Sequence, residues 1–303
     1  MQIYKSADGS VIKCVHEDLS ETTIKLNSTC DGQVVQSNKA TVFISVSYGC
    51  NQGCKMCYLT IKKCRYKPLK AGEIFDNVVD SIEENKDVLK DKYIKLSFMG
   101  MGDVSLLDPV DFISLVRELS LYVIEDSGSL GLHSVDIGTS LPKVIDLNSF
   151  TTSLKLLSDY LSDKAYIKDR YPVRLFISLH SISKSTRKYL LPNSYSIGII
   201  DSLLDDWDLR NSIEIVLHYT LIDNINNLES DTSTLISWMR SNIELRLLRY
   251  NSCGGTDLKE PSEESYKYFI DSFSNQSFKF KYQISTGSEL KAACGQFLLK
   301  EIV

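Results

Sequence analysis

Residues Ser47–Tyr58 read Ser-Tyr-Gly-Cys-Asn-Gln-Gly-Cys-Lys-Met-Cys-Tyr, which places Cys50, Cys54 and Cys57 in a Cys-x3-Cys-x2-Cys spacing. This run directly follows an apolar, strand-like segment, Thr41–Ser47. Three thiolates on one short loop can each bind one iron of a [4Fe–4S] cluster, so the fourth iron stays open to a substrate. We therefore predict that these three cysteines are the metal ligands of the protein.

The spacing resembles that of the radical S-adenosylmethionine (SAM) enzymes, in which the open iron binds the amino and carboxylate groups of SAM. A zinc site, or three unrelated buried cysteines, would be the alternatives. Structural zinc usually takes paired Cys-x2-Cys units or added histidines to complete four ligands, and no histidine lies near this loop. The pattern therefore favours the iron–sulfur cluster.

The composition predicts one large domain with a small appendage. The chain has 303 residues, 43% of them hydrophobic, and only six prolines, which is enough for the core of a large barrel. No apolar run approaches the roughly 20 residues of a membrane span, and the N-terminus lacks the apolar segment of a signal peptide. Eight cysteines, three of them on one loop, suit a reducing compartment. We expect a cytoplasmic protein with no membrane contact.

The net charge of −5 bears on the substrate, because proteins that hold folded RNA usually have a basic face. In this chain such a face would have to be local. The one dense basic stretch with an aromatic residue is Lys62–Lys67, Lys-Lys-Cys-Arg-Tyr-Lys. It is either a solvated loop or a phosphate contact, and the sequence leaves both open.

Apolar β-rich runs alternate with amphipathic stretches, as in βα units. The predicted strands are Thr41–Ser47, Tyr93–Met99, His133–Thr139, Val173–Leu179, Ser212–Thr220 and Ile243–Tyr250. The predicted helices lie near 71–90, 108–126, 147–163, 197–208 and 228–240. Six such strands predict an α/β fold, a partial (βα)6 TIM-type barrel rather than the full eight-stranded one. A helix near 262–275 and a strand near Phe278–Ile284 would close it.

Residues 1–38 have a different pattern. Two short β runs, Ile3–Lys5 and Ser10–Val15, flank a turn at Asp8-Gly9, and Thr22–Leu26 is a third. We predict a small β extension over residues 1–38, too short for a core of its own. Residues 39–303 would form the barrel and a C-terminal loop that carries a cysteine.

Ligands of a parallel barrel bind where the carboxyl ends of its strands converge. After the second strand, Gly100–Asp103 offers glycines that let the backbone approach a ligand, and Asp103 offers a carboxylate to an ammonium group. Other strands end in polar residues that suit ribose and adenine, although each alone is more typical of a structural polar group. The candidate SAM-binding residues are Gly102, Asp103, Ser140, Ser178, Leu179, His180 and Asn251.

Cys294 lies near the C-terminus in Ala292-Ala293-Cys294-Gly295-Gln296-Phe297. A lone cysteine between small residues is ordinarily a buried hydrophobic side chain. Gly295 suggests instead a flexible loop that presents the thiol.

Taken in order, these strings resemble the RlmN/Cfr family of radical SAM RNA methyl synthases, from about residue 40 to the end. Members carry GCxxxCxxC, GMGEP, STSG, SLH followed by LxPxxxxY, a PFN-type turn and a terminal AACGQL. The corresponding stretches here are Gly49–Cys57, Gly100–Asp103, Gly138–Leu141, Ser178–His180, Leu190–Tyr195, Arg249–Asn251 and Ala292–Phe297.

The resemblance implies a radical SAM methyltransferase with a [4Fe–4S] cluster and SAM as cofactors. One SAM would methylate Cys294, and a second would be cleaved to a radical that removes hydrogen from the S-methyl group. The carbon radical would then add to carbon 2 or carbon 8 of an adenosine in RNA. Such a carbon is not nucleophilic, so a covalent radical route replaces polar methyl transfer. The implied partners are RNA or a nucleotide as substrate and a flavodoxin- or ferredoxin-type electron donor, with the enzyme a monomer.

Three features depart from the family. Its second cysteine, which resolves the protein–substrate thioether as a disulfide, is replaced by Phe43. Its glutamate base is replaced by Lys13, unless Glu17 or Glu21 serves. Its N-terminal helical RNA-binding domain has no counterpart in this sequence.

Another thiol would then have to resolve the thioether. Cys253, in the Gly-rich loop after the sixth strand, is the first candidate, followed by Cys14 and Cys30 in the β extension and then Cys64. Each is otherwise a cysteine without a role. The lack of the family's resolving cysteine, glutamate base and RNA-binding domain permits a smaller acceptor, such as a nucleotide, a short RNA or a metabolite.

Three functions remain open at the level of sequence. The first is one-carbon transfer through Cys294 to an sp2 carbon, most readily of adenine. The second is radical SAM chemistry on a small molecule in which Cys294 serves as a hydrogen donor or an acid. The third is a relative that binds SAM or RNA without turnover.

Overall fold

The computed structural model describes residues 1–30, 33–165, 171–252, 254–292 and 295–297. Within these residues, ten strands form one sheet and two further strands form a short pair. The strands are β1 (Gln2–Lys5), β2 (Val11–Val15), β3 (Glu21–Cys30), β4 (Gln33–Ile44), β5 (Ser47–Tyr48), β6 (Lys67–Pro68), β7 (Tyr93–Phe98), β8 (Gly131–Thr139), β9 (Val173–Ser178), β10 (Glu214–Thr220), β11 (Glu244–Leu248) and β12 (Lys279–Gln283).

Helices follow the barrel strands in alternation. They are α1 (Tyr58–Ile61), α2 (Ala71–Glu83), α3 (Lys86–Leu89), α4 (Pro109–Glu125), α5 (Leu147–Leu161), α6 (Lys184–Leu190), α7 (Ile197–Asp205), α8 (Trp207–Ser212), α9 (Glu229–Trp238) and α10 (Glu263–Ser274). The helix α4 shows why they form where they do. Asp108 caps it by accepting hydrogen bonds from the backbone N–H groups of Val110 and Asp111, and Pro109 occupies its first position.

The large sheet has the order β1-β2-β3-β4-β7-β8-β9-β10-β11-β12. The pairs from β1 to β4 are antiparallel, and the pairs from β4 through β7 to β12 are parallel. The predicted α/β class with a partial barrel is confirmed. The predicted closing strand is β12, which pairs with β11.

Strand β4 differs from the prediction, which began it at Thr41. It begins at Gln33 because its first half pairs antiparallel with β3, before its second half pairs with β7. The predicted boundary between residues 38 and 39 therefore lies inside one strand. Buried Ile12 and Ile24 of the β extension belong to the same hydrophobic core as the barrel. A division into two domains stays a prediction.

The parallel strands divide their side chains between two environments. Apolar residues that face the helices are fully buried, such as Leu96, Ile137, Leu175 and Leu217, and burial of each removes enough apolar surface to stabilise the fold by about 2 kcal/mol. Alternate positions face the barrel interior, because side chains of a strand point to opposite faces in turn. Many of those interior positions carry charged or polar residues, and they shape the site.

Candidate active site

The cysteine loop, residues Gly49–Cys57, directly follows β5 and ends at the N-cap of α1. Gly49 has φ of +66°, and a Cβ on it would lie 2.4 Å from the carbonyl oxygen of Arg65, so only glycine fits there. Cys57 is the N-cap residue of α1, and its N–H donates to the carbonyl of Cys54 at 3.1 Å. The loop is thus a tight, internally bonded turn that brings the three thiols to one place.

Burial and mutual repulsion act on these thiols. Burial raises the pKa of Cys54 well above its ordinary value, and the nearby Cys57 and Cys50 raise it further. Burial also raises the pKa of Cys50. Thiolates crowded in this way need cations to be stable together, and iron supplies them. The donor set therefore fits an iron–sulfur cluster held by Cys50, Cys54 and Cys57.

Among the described residues, no three Cys, His, Asp or Glu side chains converge closely enough to hold a single metal ion. A zinc ion needs its ligands around one point. In a cluster each thiolate binds a different iron, so the sulfurs lie farther apart.

A cavity of about 290 Å3 lies directly inside the loop, at the carboxyl ends of the strands. Seven of the residues predicted for the site line it: Cys50, Cys54, Cys57, Gly102, Asp103, Ser140 and Ser178. Leu179, His180 and Asn251 are not among its lining residues. Cys253 and Cys294 lie outside the described residues.

Asp103 joins the ends of β7 and β8. Its Oδ2 accepts hydrogen bonds from the backbone N–H of Ser140 at 2.8 Å and from the Ser140 hydroxyl at 2.9 Å. Its Oδ1 accepts one from the hydroxyl of Ser105 at 2.6 Å. Gly102, with φ of +88°, would place a Cβ 2.4 Å from the hydroxyl oxygen of Ser47. The turn therefore packs on the cysteine loop and presents an ordered carboxylate to the cavity.

His180 has a structural role in the described contacts. Its Nδ1 accepts a hydrogen bond from the backbone N–H of Thr220 at 3.0 Å, which ties the end of β9 to the end of β10. Burial lowers its pKa to about 3, so the imidazole is neutral and able to accept that bond. Any contact of His180, Leu179 or Asn251 with SAM stays a prediction.

The sequence did not single out Arg187, which is 2% exposed. Its guanidinium donates to the backbone carbonyls of Ser178 at 2.6 Å, Leu179 at 2.7 Å and Tyr195 at 3.1 Å. One planar group with several donors can satisfy carbonyls of separate segments. Arg187 thereby orients the end of β9 beside the cavity. A buried arginine on a short helix carries no local signal that would have revealed it.

The C-terminal segment lies against the cysteine loop. Ala292, Gly295, Gln296 and Phe297 line the same cavity as the cluster cysteines, and the N–H of Tyr58 donates to the carbonyl of Gly295 at 3.0 Å. The residues on both sides of Cys294 are therefore at the cavity.

Of the departures from the family pattern, Phe43 is at this cavity, and Lys13 is bonded to a residue that lines it. Phe43 lines it, with the ammonium of Lys25 5.4 Å from the centre of its ring. Lys13 is buried and makes an ion pair with Glu21 at 2.7 Å. Glu21 lines the cavity, whereas Glu17 is exposed and does not.

The other candidate thiols lie elsewhere in the described structure. Cys14 is fully buried and Cys64 is half-buried, and neither lines the cavity. The side chain of Cys30, like residue Cys253, lies outside the part that the structure describes. Among the described helices, none is long and apolar enough to cross a membrane.

A partial barrel with a Cys-x3-Cys-x2-Cys loop at its strand ends defines the radical SAM class of enzymes. The solved structure of a radical SAM methyltransferase from Sphaerobacter thermophilus has this fold. It superposes with a TM-score of 0.73 over 98% of this chain and 80% of that chain, at 20% identity. No protein-family model matches the chain.

Curated relatives narrow the class. A dual-specificity RNA methyltransferase RlmN from Sulfurovum sp. (strain NBC37-1) is 27% identical over 276 residues, which cover 90% of this chain and 70% of the relative. The RlmN of Nautilia profundicola is 25% identical over 306 residues, which cover 99% of this chain and 77% of the relative. The chain is a radical SAM methyltransferase-like enzyme that is similar to RlmN proteins over most of its length.

Proposed function

We propose that this protein transfers a one-carbon unit from SAM, through the sulfur of Cys294, to an sp2 carbon of adenine in RNA. The observation that supports it best is the shared cavity. The residues on both sides of Cys294 and the three cluster cysteines line one space at the strand ends. A carrier thiol has to meet the SAM site and the acceptor, and this arrangement brings its segment to both.

A [4Fe–4S] cluster on Cys50, Cys54 and Cys57 would supply the electron for reductive cleavage of SAM. The residues of the chain do the rest. Asp103 presents a carboxylate to the SAM ammonium. Cys294 is methylated by one SAM, gives a hydrogen atom of that methyl group to the 5′-deoxyadenosyl radical of a second SAM, and bonds through the carbon to the acceptor. The adduct would return one electron to the oxidised cluster and lose the ring proton. A second thiol, for which Cys253 is the first candidate, would then attack the Cys294 sulfur, so that a disulfide forms and the C–S bond to the product breaks.

The surface beside the cavity and the names of the relatives both support RNA as the acceptor. No acidic residue occurs between Asp31 and Glu73. The same stretch holds seven cations, all of them exposed, and six of these lie between positions 55 and 70: Lys55, Lys62, Lys63, Arg65, Lys67 and Lys70. Strand β6 at Lys67 pairs with β5 at Tyr48, so this basic segment lies against the cysteine loop. Such a local positive surface on an acidic protein suits a phosphate backbone.

The proposal is tested by measuring the mass of the purified protein and by following a labelled methyl group from SAM into RNA. Protein purified with SAM should carry a methyl group on Cys294, and Cys294→Ala protein should carry none and yield no methylated RNA. Cys64→Ala is the matched control, because Cys64 lies outside the cavity lining, and it should be methylated normally.

Two outcomes would contradict the proposal. If Cys294→Ala still forms methylated product, the covalent route is wrong and Cys294 acts as a hydrogen donor or an acid. If reconstituted protein binds SAM but forms no 5′-deoxyadenosine with dithionite, it is a binding protein without turnover.

A further inference from the structure

The barrel interior below the cysteine loop carries charges that the proposed chemistry does not use. Asp136 of β8 accepts two hydrogen bonds from Arg174 of β9, at 2.8 and 2.7 Å. The ammonium of Lys95 on β7 lies 3.2 Å from the same carboxylate. On β11, Arg246 donates to the carboxylate of Glu244. These five charged groups form the floor of the cavity, and Lys95, Asp136 and Arg246 line it directly.

The carboxylates of this floor are shared between several cations. Asp136 pairs with both Arg174 and Lys95, and Glu244 pairs with both Arg246 and Lys281, a half-exposed residue of β12, at 2.9 Å. Glu214 of β10 also acts on Arg174. The cations of the floor therefore keep donors that suit an anionic ligand.

Two of these cations face the cavity itself. Lys95 and Arg246 line it, with side chains 21% and 14% exposed, whereas Asp136 and Glu244 are 3% exposed. Only Nε and Nη2 of Arg246 contact Glu244, so its Nη1 has no partner among the described residues. Asp136 lines the cavity beside Lys95, whereas Glu244 does not, and the Nη1 of Arg246 remains as a donor for a ligand.

Neutral polar groups complete the same floor. Among the described residues neither ring nitrogen of His218 has a hydrogen-bond partner, and Nε2 is fully buried. Burial lowers the pKa of His218 well below its ordinary value, so it is a neutral group with one donor and one acceptor. His218 lies against Phe176, 4.9 Å between ring centres, and both line the cavity with Gln283.

We propose that this floor is a binding subsite for the phosphate group of the adenine nucleotide that accepts the one-carbon unit, held by Lys95 and Arg246. A phosphate dianion matches two cationic donors, and a guanidinium is a favoured phosphate partner. The inference rests on the proposed function in one respect: it takes an adenine nucleotide as the molecule that carries the phosphate. It adds a position inside the cavity where the phosphate attached to the acceptor adenosine is recognised.

The experiment is calorimetric titration of the holoenzyme without reductant, so that binding is measured apart from methyl transfer. The ligands are adenosine 5′-monophosphate, adenosine and inorganic phosphate. We expect the monophosphate to bind at least about tenfold more tightly than adenosine, and inorganic phosphate to compete with it. Equal affinities for the monophosphate and adenosine would overturn the proposal.

Two variants locate the phosphate. Lys95→Met leaves Asp136 with its two bonds from Arg174, and Arg246→Met leaves Glu244 with Lys281, so each should fold. Both should weaken the monophosphate about tenfold or more and leave adenosine unchanged. Lys188→Met, on the exposed face of α6, is the matched control. Unchanged monophosphate affinity in both cavity variants would contradict the assignment.

The pH dependence provides a second measurement. Burial lowers the pKa of Lys95 to about 8; Asp136 opposes this shift, and Arg174 and Arg246 add to it. Between about pH 7 and pH 8 the ammonium is charged and the phosphate is a dianion, so the affinity for the monophosphate should be highest there and should fall as the pH rises above 8. Lys95→Met should remove this decline. A decline that persists unchanged in Lys95→Met would show that Lys95 does not hold the phosphate.

Discussion

Individual residues at this cavity act through pairs that the chain brings together from distant positions. Lys13 occupies the position at which the RlmN/Cfr resemblance places a base, but its ammonium is 1% exposed and bonded to Glu21. It also donates to the backbone carbonyl of Lys291 at 2.8 Å, three residues before Cys294. Lys13 therefore connects the β extension to the segment that carries the proposed methyl carrier.

Lys13→Met should destabilise the protein by about 3 kcal/mol, because it leaves the Glu21 carboxylate buried without this cation. Urea unfolding measures the change. The double variant Lys13→Met, Glu21→Gln should recover most of the loss, since it removes the uncompensated charge. If the single variant were as stable as the wild type, the ion pair would contribute nothing to the fold.

At the scale of elements, the ends of the parallel strands are joined by side chains rather than by the sheet alone. Asp103 joins β7 to β8, and His180 joins β9 to β10. The His180 backbone has φ of +51°, a left-handed conformation that asparagine tolerates better than most residues. The imidazole must stay neutral to accept its bond from Thr220.

This requirement predicts a pH dependence of stability. The pKa of His180 is about 3 in the folded protein and near its ordinary value of 6.5 in the unfolded one. The unfolded chain then binds one more proton between these values, so stability falls as the pH drops below 6.5. The contribution near pH 5 is about 1.4 kcal/mol per pH unit.

His180→Asn isolates that contribution. Its side-chain oxygen can still accept the Thr220 bond, and it does not titrate. We expect the unfolding free energy, measured between pH 5 and 6.5, to depend less steeply on pH in the variant. The difference in slope should correspond to about one proton bound on unfolding. Equal slopes in the two proteins would mean that His180 is protonated in the folded state.

At the scale of the whole molecule, an acidic chain presents one basic segment beside its cavity. The six exposed cations between Lys55 and Lys70 form a local positive surface on a protein of net charge −5. Binding of single-stranded RNA releases about 0.7 counterion for each phosphate that is neutralised. The number of contacts can therefore be read from the salt dependence.

The double variant Lys62→Ala, Lys63→Ala should lose two phosphate contacts with single-stranded RNA. The slope of log K against the logarithm of the salt concentration should then be smaller in magnitude by about 1.4. The matched control is Lys184→Ala, Lys188→Ala, which removes two exposed lysines from α6, away from the cavity lining. Fluorescence anisotropy over a salt series measures both. An equal change of slope in the two double variants would mean that the basic segment is only a solvated loop.

Much of the barrel could be predicted from the chain, because its signals are local. Periods of two and of 3.6 residues mark strands and helices within ten or so residues, and the predicted barrel strands are present. The beginning of β4 was misplaced, since its first half is specified by pairing with β3 rather than by its own pattern.

The sequence by itself determined the cysteine loop and the polar strand ends, because the spacing of ligands on one turn and the convergence of parallel strands are local rules. Only the tertiary structure decided which polar groups meet. The Lys13–Glu21 pair, the contacts of Arg187 and the charged floor around Lys95 and Arg246 join residues of different strands and helices. Such contacts depend on sheet register and barrel closure, which no short stretch of sequence encodes.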